Sequence, residues 1–284
     1  MEARGKENRG RKVFFLHPHP VIGEELLASI LESEYEVYLV KDHLRLLNLL
    51  REYPDSVLFL NIDAEVKGVK WADYARSIVS SPETKQVRLG VLSHGEDREA
   101  IQVYLDELAV PCGFIVLRAG IENSKRSLLS ALKDVQAIGQ RKSVRARCGA
   151  GSLASFNVKY GARYHPGSIR DISSAGFAGS FGSGLRLETE THLTDIQLRL
   201  RGRLIRVSAV VALKRESEEG TEVYVFLFDK EVTTETKLKL RLFIHELLQS
   251  EMEKRMEGSS NLNSPPPKPA TLRPLEPDDI ESPP

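Results

Sequence analysis

The sequence predicts an α/β unit followed by a small antiparallel β-barrel with a C-terminal helix, and three observations predict it. Residues 11–137 alternate short apolar runs with amphipathic stretches at a βα period. Residues after Gly149 read instead as strands punctuated by turns. Residues 233–256 then change to helical spacing.

In the first unit, Val13-Phe14-Phe15-Leu16 precedes a helix over 21–33, residues 36–40 precede 44–51, and 57–61 precede 71–79. Residues 88–93 precede 97–107, and 113–117 precede 121–137, where Leu128, Leu129 and Leu132 have helical spacing. Repeated βα pairs of this kind call for a five-stranded parallel sheet. Trp71, Phe14, Phe15 and Phe59 are assigned to core packing.

The second unit starts with a strand at Ser155–Tyr160. Ile196, Leu198 and Leu200 alternate with Gln197, Arg199 and Arg201, and Gly202 turns the chain into Ile205, Val207, Ala209, Val211 and Leu213. A charged turn over 214–220 leads to Val223–Phe228, rich in the β-branched and aromatic types that suit a buried strand. The closing helix places Leu238, Leu242, Ile244 or His245, Leu248 and Met252 near one stripe.

Length fits this division, because 284 residues with 41% hydrophobic content can build a core in each unit. The expected boundaries are a disordered basic N-terminus over 1–10, the α/β domain over 11–137, a linker over 138–150, barrel and helix over 151–257, and a disordered Pro-rich tail over 258–284. No apolar run approaches the roughly 18 residues needed to span a bilayer. The N-terminus has no signal-peptide apolar region, so a cytoplasmic location is expected. Cys112 and Cys148 fall in different units and match no disulfide framework or zinc spacing. With 40 basic and 40 acidic residues there is no long-range field to gather nucleic acid.

Two clusters carry chemistry: Arg141-Lys142-Ser143-Val144-Arg145 and Asp171-Ile172-Ser173-Ser174-Ala175-Gly176. Arginine keeps its charge and presents a planar fork that fits phosphate oxygens or the guanine O6/N7 edge, and it stacks on bases. Asp171 can accept from guanine N1–H and N2–H, Ser173 adds a hydroxyl, and Gly176 allows a backbone conformation or close approach that a Cβ would obstruct. A basic solvated linker and an ordinary turn would use the same residue types, so the pairing of the clusters matters more than either alone.

An RxxxR element followed after a few tens of residues by [Asp/Asn]xSxxG resembles the PilZ family of cyclic di-GMP receptors. The resemblance implies a PilZ-type β-barrel in which Arg141, Arg145, Asp171, Ser173 and Gly176 bind cyclic di-GMP, with Gln140, Lys142 and Arg147 as further candidates. No cofactor is implied beyond that ligand. The first unit resembles a flavodoxin-like (βα)5 response-regulator receiver in strand count and length. It departs from that pattern at His17-Pro18-His19-Pro20, where receivers carry an acidic pair, and at Leu117-Arg118, where they carry a lysine. The phosphoacceptor position falls on Asn61 or Asp63, and Ser93 suits the hydroxyl position. Imidazoles are poor Mg²⁺ ligands, so a pseudo-receiver that contacts a protein partner is expected, with phosphorylation of Asp63 as the lesser alternative. His17 and His19 lack further ligands for a metal site.

The chain has no paired acids beside a base, no nucleophile elbow and no phosphate loop, so an enzyme is not expected. The leading expectation is a cyclic di-GMP adaptor in which a mobile hinge carrying RxxxR closes on the barrel and resets the domain angle. One alternative is a barrel that binds RNA or single-stranded DNA through Arg199, Arg201, Arg203 and Arg206. The other is a degenerate PilZ protein acting through protein contacts alone.

Overall fold

The computed structural model describes residues 10–95, 97–139, 142–182, 184–217 and 220–258, so the expectations for the N-terminus up to 9 and the tail from 259 lie outside the described residues. The first unit is built on β1 (Lys12–Leu16), β2 (Glu36–Val40), β3 (Val57–Asn61), β4 (Arg88–Ser93) and β5 (Phe114–Val116). They form one parallel sheet in the order β2-β1-β3-β4-β5. Apolar runs such as Val57–Asn61 are buried throughout because helices cover both faces, so these strands show no polar alternation.

On one face lie α1 (Leu27–Glu32), which continues from a π-helical turn at Ile22–Leu26, and α5 (Ile121–Asp134). Ile22, Leu26, Ile30, Leu128 and Leu132 pack there against Val13, Phe15 and Phe59. On the other face α2 (His43–Glu52) and α3 (Trp71–Ser80) bring Leu46, Leu49, Leu50, Tyr74 and Ile78 to Phe14, Leu58 and Leu60. Asp42 caps α2 by accepting from the Leu44 and Arg45 amides. A short α4 (Arg98–Gln102) runs into a π-helical turn ahead of β5. Trp71 is buried as expected, and its indole N–H donates to the Ala64 carbonyl at 2.7 Å.

The second unit is one antiparallel sheet of β6 (Arg145–Arg147), β7 (Ala154–Tyr160), β8 (Arg163–Ser173), β9 (Gly176–Phe181), β10 (His192–Leu200), β11 (Arg203–Glu216) and β12 (Glu222–Phe228). The order is β6-β8-β7-β10-β11-β12-β9, and pairing of β8 with β9 closes it into a barrel. Phe156, Phe177 and Phe226 fill the centre, with the Phe177 and Phe226 rings stacked at 4.5 Å. The β10–β11 turn holds Arg201 at φ +47° and Gly202 at φ +82°, the two positive values that a tight hairpin requires. Leu213 departs from the expected alternation: a bulge between Val211 and Leu213 turns its side chain outward, leaving it 50% exposed. β11 also runs on through Lys214–Glu216, so the charged turn starts later than expected.

The long helix α6 (Thr234–Gly258) joins the two units. Leu240, Phe243, Ile244 and Leu247 pack on the barrel core, while Met252 and Met256 enter the core of the α/β unit. The single stripe expected from sequence is therefore replaced by two, and Leu238 and Leu242 are only half-buried. Between the stripes, Gln249 accepts from the Leu39 N–H at 3.0 Å and donates to the Leu39 carbonyl at 2.8 Å. Leu39 belongs to β2, the edge of the parallel sheet, so one side-chain amide supplies the bonds that a further strand would make.

His245 is buried beside these contacts with Nδ1 at 3.2 Å from the Val37 carbonyl, and burial holds its imidazole below the ordinary 6.5 despite Glu246 and Glu253. A neutral native imidazole means that the unfolded chain binds the extra proton as the pH falls through the ordinary value. Stability should then be complete above about pH 6.5 and decline below it. Urea midpoints at about pH 7.5 and 5.5 should show this fall, and His245→Gln should make it shallower; an unchanged pH dependence would assign the effect to His17, which burial also lowers.

Candidate functional site

Strand β6 lies within the stretch expected to be linker and pairs antiparallel with the end of β8. Arg145 stands opposite Ser173, Ala146 opposite Ile172, and Arg147 opposite Asp171. Ala146 and Ile172 are buried in the barrel core, so the two-residue period turns Arg145 and Arg147 outward. Arg145 reaches diagonally across the ladder, with Nη1 at 3.6 Å from Asp171 Oδ1. The Arg145 side chain is 51% exposed and that of Asp171 22% exposed. Such a long, solvated ion pair contributes little on its own, so both groups remain open to a ligand. Lys142 and Arg147 are exposed on the same segment. Gln140 and Arg141 lie outside the described residues.

The motif Asp171–Gly176 is the hairpin between β8 and β9, with Ser174 and Ala175 as its two turn residues. Ser173 does not face solvent: its buried hydroxyl donates to the Gly176 carbonyl at 3.2 Å and accepts from the Ala175 N–H at 3.3 Å. It sets the turn that presents Asp171. Of the two reasons foreseen for a glycine at 176, close approach is the one that applies. A Cβ there would stand 2.1 Å from the Phe226 carbonyl of β12, whereas the residue is not among those with positive φ.

Beside this hairpin lies an open groove of about 680 Å³. Its floor is a row of cross-strand neighbours, Arg199 to Ser155 to Ser168 to Ser180, bordered by Arg170, Cys148, Gly149 and Gly202. A bulge between Ile169 and Asp171 breaks the alternation at Arg170, whose carbonyl accepts the Cys148 N–H at 2.7 Å. Arg170 and the serines were not singled out from sequence. Small polar side chains at outward positions of neighbouring strands are the only sequence signal, and they become a groove only once the register is known. Burial pushes the Cys148 thiol up to about 11 and that of Cys112 up to about 12, which keeps both protonated.

At the carboxyl end of the parallel sheet, Asn61 donates from its amide to the His17 carbonyl at 2.8 Å, and Asp63 accepts from the Ser93 hydroxyl at 2.8 Å and from the His94 N–H. Among the described residues, no group of three or more His, Cys, Asp or Glu side chains is placed to hold a metal ion. No helix of the described chain is long and apolar enough to cross a membrane.

The chain is similar in structure to PilZ-domain proteins and to a chemotaxis response regulator. The PilZ domain of YcgR from Escherichia coli, solved with c-di-GMP, matches at 16% identity over 43% of this chain and 98% of its own, with a TM-score of 0.34. The Bacillus subtilis inhibitor of motility matches at 18% identity over 42% of this chain and 54% of its own, at 0.34. The response regulator CheY4 of Vibrio cholerae matches at 16% identity over 44% of this chain and 98% of its own, at 0.36. Of YcgR in complex with c-di-GMP the match spans only 51%, about half its length. No protein-family model matches the chain, and no curated protein matches it. At these identities and scores the chemistry of the site is read from its own side chains.

Because the β12 backbone cannot yield cheaply to a methyl group, Gly176→Ala should destabilise the barrel by about 1 to 3 kcal/mol. A urea midpoint indistinguishable from that of the parent chain would show that β9 and β12 separate without cost.

Proposed function

We propose that the second unit binds cyclic di-GMP at β6, the β8–β9 hairpin and the adjoining groove, and that occupancy is passed on as a change at the domain junction or in partner binding. The observation that supports this most is the register bringing Arg145 and Asp171 together, two groups far apart in sequence, with the cation and the acceptor both open to a ligand. The arginine would supply a fork for phosphate or the guanine O6/N7 edge, and the aspartate would accept from guanine N–H donors. Arg141 is assigned to the same site by its place in the RxxxR element, and Ser173 and Gly176 support the turn. Arg170 and Arg199 line the adjoining groove, whose volume is in the range of small-ligand sites. The first unit would act as a pseudo-receiver that meets a protein partner, and a cytoplasmic, non-enzymatic adaptor is the corresponding whole-chain reading.

Binding of RNA or single-stranded DNA loses part of its support in the barrel itself. Arg201 and Arg203, half of the basic stripe, converge on Glu246 of α6 at 3.6 and 3.5 Å. Glu246 lowers the net charge of the stripe, and at these distances its pairs are as weak as that of Arg145 with Asp171, so both guanidiniums keep access to solvent.

Calorimetric titration with cyclic di-GMP, with cyclic di-AMP and GTP as controls, tests the proposal. Arg145→Ala should remove a charge-assisted contact of about 1.5 to 3 kcal/mol, a fall of roughly ten- to a hundredfold in affinity. Arg145→Lys should not restore it, because a point charge reproduces neither fork nor stacking. Asp171→Ala should also weaken binding. Oligonucleotide binding that is steeply salt dependent and survives Asp171→Ala would favour the nucleic-acid reading instead.

A further inference from the structure

We infer that Glu34, which belongs to the α/β unit, is a positioning residue of the nucleotide site on the barrel. The inference rests on the function proposed above. Glu34 Oε2 accepts the Val144 N–H at 3.0 Å, immediately before Arg145. Glu34 Oε1 accepts the Ser174 hydroxyl at 2.7 Å, immediately after Ser173. One carboxylate from the neighbouring unit therefore grips both halves of the site, the arginine strand and the aspartate hairpin. The Ser174 hydroxyl also lies 3.2 Å from that of Ser143, which draws the two segments together.

Two further observations support a dedicated role. Arg241 of α6 reaches the same carboxylate oxygen with Nε at 2.9 Å and Nη2 at 2.8 Å. The pair is largely shielded, at 15% exposure for Glu34 and 16% for Arg241. The arginine neutralises a negative charge that would otherwise oppose a phosphate diester nearby, and it fixes the carboxylate for its other two donors. Glu34 also follows the end of α1 at φ +59°, a left-handed position where glycine is the usual residue. The Glu34 N–H bonds to the Leu31 carbonyl at 3.0 Å and the Tyr35 N–H to the Ile30 carbonyl at 3.4 Å, which closes the helix end. The backbone there would accept glycine more readily, so the glutamate's contribution lies in its side chain.

Because Glu34 reaches the ligand only through Val144 and Ser174, the test separates positioning from general stability. Cyclic di-GMP is titrated into the full chain and into Glu34→Gln, Glu34→Gly and Ser174→Ala, with amide hydrogen exchange followed over 142–148. Glu34→Gln keeps the shape but cannot accept from all its donors, and should weaken binding about tenfold while exchange at Val144 accelerates. Glu34→Gly suits the left-handed backbone, so it should stay folded and still weaken binding. Ser174→Ala should weaken binding less, and combining it with Glu34→Gln should add little, because both remove the same bridge. If the parent chain binds and all three variants bind within about twofold of it, Glu34 has no positioning role. If the parent chain itself fails to bind, the functional proposal falls and takes this inference with it, an outcome distinguishable from the first because it appears before any substitution.

Discussion

The outer edge of β2 is the constraint around which the two units are arranged. An edge strand exposes backbone donors and acceptors that invite pairing with another chain. Here α6 covers it: Gln249 occupies both the N–H and the carbonyl of Leu39, and His245 meets the Val37 carbonyl. The same helix is also part of the barrel core through Leu240, Phe243, Ile244 and Leu247. Covering the edge therefore fixes the barrel against the sheet. Glu34, in the connection just before β2, arrives as a consequence beside the β8–β9 hairpin and the start of β6.

The site itself follows from strand register. With Ala146 and Ile172 buried, the strand period turns Arg145, Arg147 and Asp171 to a shared outer surface. Its remaining features are structural supports for that surface. Ser173 spends its hydroxyl on the turn, and Gly176 allows β9 to lie against β12. The recognisable motif is thus partly an outward-facing pair, Arg145 and Asp171, and partly the local geometry that presents it, a division that residue types alone do not reveal.

Much of the fold was legible because it depends on local periodicity. Apolar runs such as 13–16 and 57–61 and the leucine spacing at 128 and 132 report burial directly. The exceptions arise where a non-local contact decides. The two stripes of α6 cannot be read as one moment because two different cores claim opposite positions on it. Leu213 turns outward through a bulge whose cause lies in pairing with β12. At the site, Arg145 and Asp171 were visible through their motif, whereas Arg170, the serine floor and Glu34 were not. Each of these three acquires its place only from register or from a neighbouring domain, and Glu34 stands at a position whose left-handed backbone would favour glycine.

These contacts also limit how a ligand can act. A free hinge over 138–150 would let binding swing the units, but the junction is held by the Glu34–Arg241 pair, the Gln249 and His245 bonds and the buried Met252 and Met256. Net hydrogen bonds of about 1 kcal/mol each and burial of about 1.5 to 3 kcal/mol for each methionine together exceed the roughly 1 to 3 kcal/mol of a typical coupling between sites. On the proposed function, a ligand at β6 and the β8–β9 hairpin would have to work against these contacts to part the units. The response opposed by the fewest of them would be local, a tightening of residues 142–147 against the Asp171 hairpin with Glu34 as the far anchor. On the proposed function, a partner would then distinguish the two states by the surface those residues present.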